Sequence, residues 1–149
     1  MNTNISGIWT GAGSIESIDS DIFAITNTYL FRLNGTTGQV EAVQSLPTGA
    51  SLPSDSYFNG MSGWSDGTLV MKNLARAPGC TLQGFFALSN CPNLDQTPPS
   101  TMVAVDSNTL KVLDWVQLEE MIGGRITATQ YNGHNYAYVA GQTNLYRYE

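Results

Sequence analysis

The chain has 149 residues, 42% of them hydrophobic and only 12% charged, and six Lys and Arg stand against twelve Asp and Glu for a net charge of -6. That balance argues against a nucleic-acid partner, because phosphate binding needs clustered Lys and Arg. No apolar run approaches the ~20 residues of a membrane span, so none is expected.

The length fits one domain. Met1-Asn2-Thr3-Asn4 has neither a basic region nor an apolar stretch behind it, so no signal peptide is expected. With charges this sparse, the polar surface must come from Ser, Thr, Asn, Gln and Gly. We read that composition as extracellular or periplasmic.

The periodicity is that of strands. Phe23-Ala24-Ile25-Thr26 and Tyr29-Leu30-Phe31-Arg32-Leu33 come first. Thr68-Leu69-Val70-Met71, Met102-Val103-Ala104-Val105 and Tyr136-Ala137-Tyr138-Val139 follow. All are short and rich in β-branched and aromatic residues. Asn34-Gly35, Asp66-Gly67 and Asn132-Gly133 punctuate them as turns. Only Leu113 to Ile122 has a helical alternative; Val112, Trp115 and Val116 favour strand for most of it.

Copies recur along the chain. Leu30-Phe31-Arg32-Leu33 matches Leu145-Tyr146-Arg147-Tyr148, and Val103-Ala104-Val105-Asp106 aligns with Phe31-Arg32-Leu33-Asn34. The segments that follow also agree, Asn34 to Val40 with Asp106 to Val112. From Leu33 to Val105 is 72 residues, and from Val105 to Tyr148 is 43. The preceding strands, aligned on Phe23, Leu69 and Tyr136, are spaced 46 and 67 apart. The long gap changes interval, which places an insertion of about 25 residues inside the middle copy, at 77–100, where prolines give a loop composition. Without it the period is near 45, the length of a four-stranded propeller blade.

Tyr29 to Val40 resembles the blade motif of quinoprotein-like β-propellers: a hydrophobic strand, Leu-Asn, a Thr-Gly turn and a second strand. Met102 to Trp115 and Gly124 to Tyr148 look like weaker copies. The resemblance implies an all-β fold of antiparallel four-stranded blades, near 14–46, 57–118 and 125–149, in one propeller segment. The tryptophan docking pattern and cofactor ligands of the cofactor-bearing members are not evident. No cofactor is expected, and no functional residue carries over.

The last copy stops after its third strand, whereas a ring needs about four to eight blades. The chain is then a piece of something longer, or copies assemble into one ring. A dimer of three blades each would give six and has the commonest closed symmetry. Asn2 to Thr10 is a candidate for the missing outer strand.

Chemistry-bearing residues are few. His134 is the only histidine and lies in a turn signal. Nucleophile elbow, P-loop and zinc-protease motifs are all absent, and Gly11-Ala12-Gly13 lacks the rest of a dinucleotide fingerprint. Asp19, Asp21, Asp55 and Asp66 lack the spacing of a calcium loop and suit turn chemistry. Glu119-Glu120 reads as a solvated pair. Arg76 and Arg125 sit where propeller strands border the central channel, and there an Arg fork suits an anionic ligand; a salt bridge between blades is the structural alternative. Trp64 joins them as a candidate ligand contact, against packing between blades as with Trp9 and Trp115. Cys80 and Cys91, eleven apart, are expected to pair as a disulfide adding about 2–3 kcal/mol in an oxidising compartment; two buried thiols are the other reading. Asn4-Ile5-Ser6 and Asn34-Gly35-Thr36 fit the N-glycosylation pattern.

Three functions follow. The first is a non-catalytic binding or assembly module. The second is part of a propeller enzyme, an oxidoreductase or hydrolase, with its site completed by other blades. The third is a secreted subunit that polymerises through open sheet edges.

Overall fold

The computed structural model describes residues 14–26, 29–46, 57–74, 93–122 and 124–149. Asn2 to Thr10 and most of 77–100 lie outside them. The described chain is all-β apart from a short 3-10 turn at Leu94–Gln96. The strands are β1 (Ser14–Ile18), β2 (Asp21–Ile25), β3 (Tyr29–Asn34), β4 (Val40–Ser45), β5 (Tyr57–Gly63) and β6 (Thr68–Leu74). Then come β7 (Thr101–Asp106), β8 (Val112–Gln117), β9 (Ile126–Tyr131), β10 (His134–Ala140) and β11 (Leu145–Tyr148). They form antiparallel sheets of four, four and three strands, β1–β4, β5–β8 and β9–β11, each a simple meander. Of the segment with a helical alternative, Leu113 to Gln117 lies in β8 and 118–122 is irregular.

The first strands β1, β5 and β9 touch in series. Two cores fill the spaces between sheets. Phe23, Ile25, Leu30, Met61, Leu69, Met71, Val103 and Val105 join the first sheet to the second. Trp64, Val70, Met102, Leu118, Ile122, Ile126, Ala137 and Val139 join the second to the third. The middle sheet is buried on both faces because alternate residues of one strand point opposite ways. Leu69 and Met71 face the first sheet, and Val70 and Lys72 face the third.

The repeat holds at the level of single hydrogen bonds. In the β3–β4 turn the Gly38 amide donates to the Asn34 carbonyl (2.7 Å), and the Asn34 amide to the Gln39 carbonyl (2.9 Å). In the β7–β8 turn Leu110 donates to Asp106 (2.8 Å) and Asp106 to Lys111 (2.9 Å). Asn34 Oδ1 accepts from the Thr37 amide at 2.9 Å, and Asp106 Oδ1 from the Thr109 amide at 2.6 Å. Asn and Asp stand there because a short side-chain acceptor closes this turn. The Asn34 amide nitrogen donates to Glu41, so the whole side chain of that acceptor-pattern asparagine serves the turn. A bulge precedes both turns, at Arg32/Leu33 and Ala104/Val105.

Strand register corrects the sequence alignment. Phe23 pairs with Arg32, Val70 with Ala104 and Tyr138 with Arg147. The equivalent residues are therefore Phe23, Val70 and Tyr138, one and two positions beyond the Leu69 and Tyr136 that composition suggests. Alternating apolar runs score alike in either register; backbone pairing alone distinguishes them.

The two turns differ at one informative position. Gly38 has φ +70°, and its counterpart Leu110 has φ +59° with its side chain 2% exposed in the first core. A left-handed non-glycine residue costs roughly 1–2 kcal/mol, while deleting a buried Leu costs about 2–5 kcal/mol. Gly38→Ala is expected to destabilise by about 1 kcal/mol in urea denaturation. Leu110→Gly is expected to lose about 2 kcal/mol, since packing outweighs relief of the backbone. A stabilised Leu110→Gly protein would reverse that ranking.

Candidate functional site

The polar side chains of this protein gather where sheets meet. Trp64 follows β5 and is 9% exposed. Its indole Nε1 donates to the Thr129 carbonyl at 2.9 Å and the Tyr136 carbonyl at 3.2 Å, so one N–H bridges β9 and β10. Nearby, the β9 edge amide of Ala128 donates to Ser62 Oγ at 3.0 Å, and Asn135 Nδ2 to Asp66 Oδ2 at 2.6 Å. Burial works against the Asp66 charge, yet hydrogen bonds from Asn135 and Thr68 outweigh it and hold its carboxyl below the usual range. Asp66 is thus a turn and interface residue, as Asp-Gly chemistry suggests.

Lys72 on β6 is fully buried between the second and third sheets. Its stem crosses Gly60, where a Cβ would meet Lys72 Cε at 3.4 Å and Ile126 Cγ2 at 3.4 Å. Its ammonium donates to the Ile122 carbonyl at 2.8 Å, and burial pushes its pKa down to about 8. On the same connection the Ile122 amide donates to Ser100 Oγ at 2.9 Å, and the Leu118 amide to the Ser100 carbonyl at 2.8 Å. Lys72 and Ser100 therefore anchor the segment between β8 and β9.

Glu120 lies on this segment and is not simply solvated as the Glu119-Glu120 pair suggested. Its Oε2 accepts from the Gln142 amide at 3.2 Å, and its carboxylate sits against Gly141, where any Cβ would collide with it. A distant turn that only folding brings near supplies this partner.

A groove of about 340 Å³ opens between the second and third sheets. Val70, Met102, Val116, Ala137 and Tyr148 supply its apolar wall, and Asp114, Asn135 and Glu149 its polar atoms. Trp64 lines it, but the buried indole already spends its donor on two carbonyls. A second groove of about 280 Å³, between the first two sheets, touches Leu30, Met71 and Leu110.

Two of the three candidate ligand residues are among the described residues. Trp64 is in the second core, and Arg125 is exposed just before β9. Arg76 and the Cys80–Cys91 pair lie outside the described residues, as do Trp9, Asp55 and Gly11-Ala12-Gly13. His134 opens β10, exposed, with Nδ1 2.6 Å from Glu149 Oε1. Among the described residues no hydroxyl or thiol hydrogen-bonds to that imidazole. Arg125 and His134 lie at opposite ends of β9, about 20 Å apart by strand rise. Among the described residues, no three His, Cys, Asp or Glu side chains stand together as a metal site, and no helix is long and apolar enough to cross a membrane.

Arg32 is a further residue that composition did not mark. Its guanidinium Nη1 crosses from the first sheet to the second and donates to the carbonyls of Asn108 (2.9 Å) and Ser107 (3.4 Å) in the β7–β8 turn. Its Nε stands 3.5 Å from Glu41 and 3.8 Å from Asp21, ion pairs without hydrogen-bond alignment. The matched Arg32 and Arg147 of the repeat were the available signal.

No protein-family model matches the chain, and no curated protein is significantly similar to it. The quinoprotein-like resemblance therefore rests on the repeat alone.

Two outcomes follow. Trp64→Phe removes the donor to two carbonyls along with the five-membered ring that carries it, and is expected to cost about 1–3 kcal/mol in denaturant. Unchanged stability would show that water replaces the indole. For Lys72 the unfolded pKa is the ordinary 10.5 and the folded value is about 8. Between those pH values the unfolded chain binds more protons, so stability rises with pH, by up to about 3 kcal/mol. Lys72→Met is expected to flatten this rise relative to the native protein over pH 7.5–9.5 in urea titrations; parallel curves would refute it.

Proposed function

We propose that this chain is a non-catalytic assembly module, a partial β-propeller of three blades whose ring a second copy completes. The observation that carries this reading is the contrast between the middle sheet and its neighbours. The inner strands of the middle sheet are covered on both faces, and Leu69, Met71 and Val103 reach 0% exposure there. Among the described residues the first and third sheets each pack on one other sheet, although Ala24 and Phe31 on the far side of the first are themselves buried. Ile15, Val43 and Tyr29 are 62%, 52% and 39% exposed on the first; Leu145 is 71% exposed on the third. Contact of β1, β5 and β9 in series supports a common axis of the propeller kind. Three blades and a two-fold axis give a six-bladed ring.

The enzyme alternative needs Arg76, Arg125, His134 and an acid on one pocket. The separation of Arg125 from His134 weighs against it. The sparse charge fits an extracellular or periplasmic setting.

Sedimentation equilibrium of the full chain tests the reading. A discrete species of twice the chain mass is expected at micromolar concentration. A well-folded monomer at high concentration would overturn it.

A further inference from the structure

At one position of the repeat the second sheet departs from the other two. Register makes Arg32, Ala104 and Arg147 equivalent, paired with Phe23, Val70 and Tyr138 in turn. In the first sheet that arginine is a tie. Its guanidinium reaches the next sheet and donates to the carbonyls of Asn108 at 2.9 Å and Ser107 at 3.4 Å. At the same place the second sheet has only a methyl group. Ala104 turns it toward the third sheet, since its cross-strand partner Val70 belongs to the second core.

The room left by that shorter side chain is part of the groove of about 340 Å³. Ala104 lines its floor with Val70 and Met102, which are 1% and 7% exposed. Across it stand Ala137 and Tyr148 of the third sheet. Its mouth is open, because Val116 on β8 is 39% exposed. The volume falls within the range of small-molecule sites, about 300–1,000 Å³.

Charge decides what the groove accepts. Among the described residues its lining holds two carboxylates, Asp114 and Glu149, and no Lys or Arg. Asp114 is directly opposite Ala104 on the neighbouring strand. Its Oδ1 accepts from the Trp115 amide at 2.7 Å, and among the described residues no Lys or Arg pairs with it. Glu149 follows Tyr148 as Asp106 follows Val105, so it stands just before the place of the carbonyls that receive Arg32. Its Oε1 is 2.6 Å from His134 Nδ1. One carboxylate thus lies where the arginine side chain of the repeat would start, and the other where its head would arrive. Arg32 itself sits between the carboxylates of Asp21 and Glu41. The groove between the first two sheets has the opposite sign, since Lys111 is its charged lining residue.

We infer that the groove between the second and third sheets binds a small guanidinium ligand with an apolar body. The ligand's planar head takes the place that an arginine head has in the first sheet, and donates to Asp114 and Glu149 in the fork geometry that suits carboxylates. The apolar body lies on Val70, Met102 and Val116, against the Tyr148 ring, whose face also attracts a cation. A net charge of -6 draws cations toward the whole molecule. Two sheets of one copy form the site, so it stands independently of the assembly reading.

Heteronuclear NMR titration of the labelled full chain tests the site. Phenethylguanidinium is expected to bind with a millimolar Kd. It should shift the amides of Val116, Asn135 and Ala137 and leave those of Gln44 and Leu110 at the other groove. Phenethyl alcohol, the same body without charge, should bind about fivefold more weakly, and the anion hydrocinnamate should not bind. Acetylarginine amide, which has the head without the aromatic body, should also be weaker. Equal affinity for it would make an arginyl side chain the occupant and overturn the small-molecule assignment. Asp114→Asn is expected to cost about fivefold in Kd for phenethylguanidinium and nothing for the alcohol. Ala104→Arg supplies the repeat's own arginine and should abolish binding of every probe, with the amide spectrum checking the fold. Asp114 is exposed, so Asp114→Asn decides the matter if Ala104→Arg does not fold. Native affinity in Asp114→Asn, equal binding of the phenethyl cation and alcohol, or no binding of the cation overturns the inference.

Discussion

A β-sheet with apolar side chains on both faces needs a neighbour on each side, and most of this molecule follows from that constraint. The middle sheet meets it. Leu69 and Met71 enter one core while Val70 and Lys72 enter the other, so a single strand serves two interfaces. The end sheets carry the same two-sided pattern, and among the described residues each packs on one other sheet. Ile15, Val43 and Leu145 stand exposed on the end sheets, and covering them is worth about 25 cal/mol per Å².

Polar groups inside the two cores set how the sheets orient. Trp64, Ser62 and Ser100 bond backbone groups of the neighbouring sheet and of the segment between β8 and β9. Lys72 is the costly member, since burial disfavours its charge. In return it holds the Ile122 carbonyl and the segment that leads into β9. Arg32 does comparable work between the first and second sheets with a group that stays charged at any ordinary pH. Hydrogen bonds of this kind have one geometry, whereas apolar contact tolerates sliding, so they fix the register of one sheet on the next.

The strands and turns were largely legible in the sequence. Asn34 and Asp106 announce matching turns because a short acceptor side chain is needed there whatever surrounds it. The Leu-x-Arg match of Leu30 to Arg32 with Leu145 to Arg147 marked the third strand of two sheets. The site was far less legible. Trp64 was a candidate for a ligand, yet its donor is consumed by carbonyls 65 and 72 residues away. Glu120 read as solvated because Gly141 and Gln142, its partners, are distant in the chain. No local pattern encodes such pairs.

Local chemistry determined the period, the turn types and the alternation of apolar residues, since each depends on neighbours a few bonds away. Tertiary structure alone decided the register, which moved the equivalents of Phe23 to Val70 and Tyr138. It also decided which of two identical patterns is buried. Leu30 and Leu145 have the same place in the repeat, and only the presence of a following sheet separates 1% from 71% exposure. Burial belongs to pairs of surfaces, and a sequence describes one surface at a time.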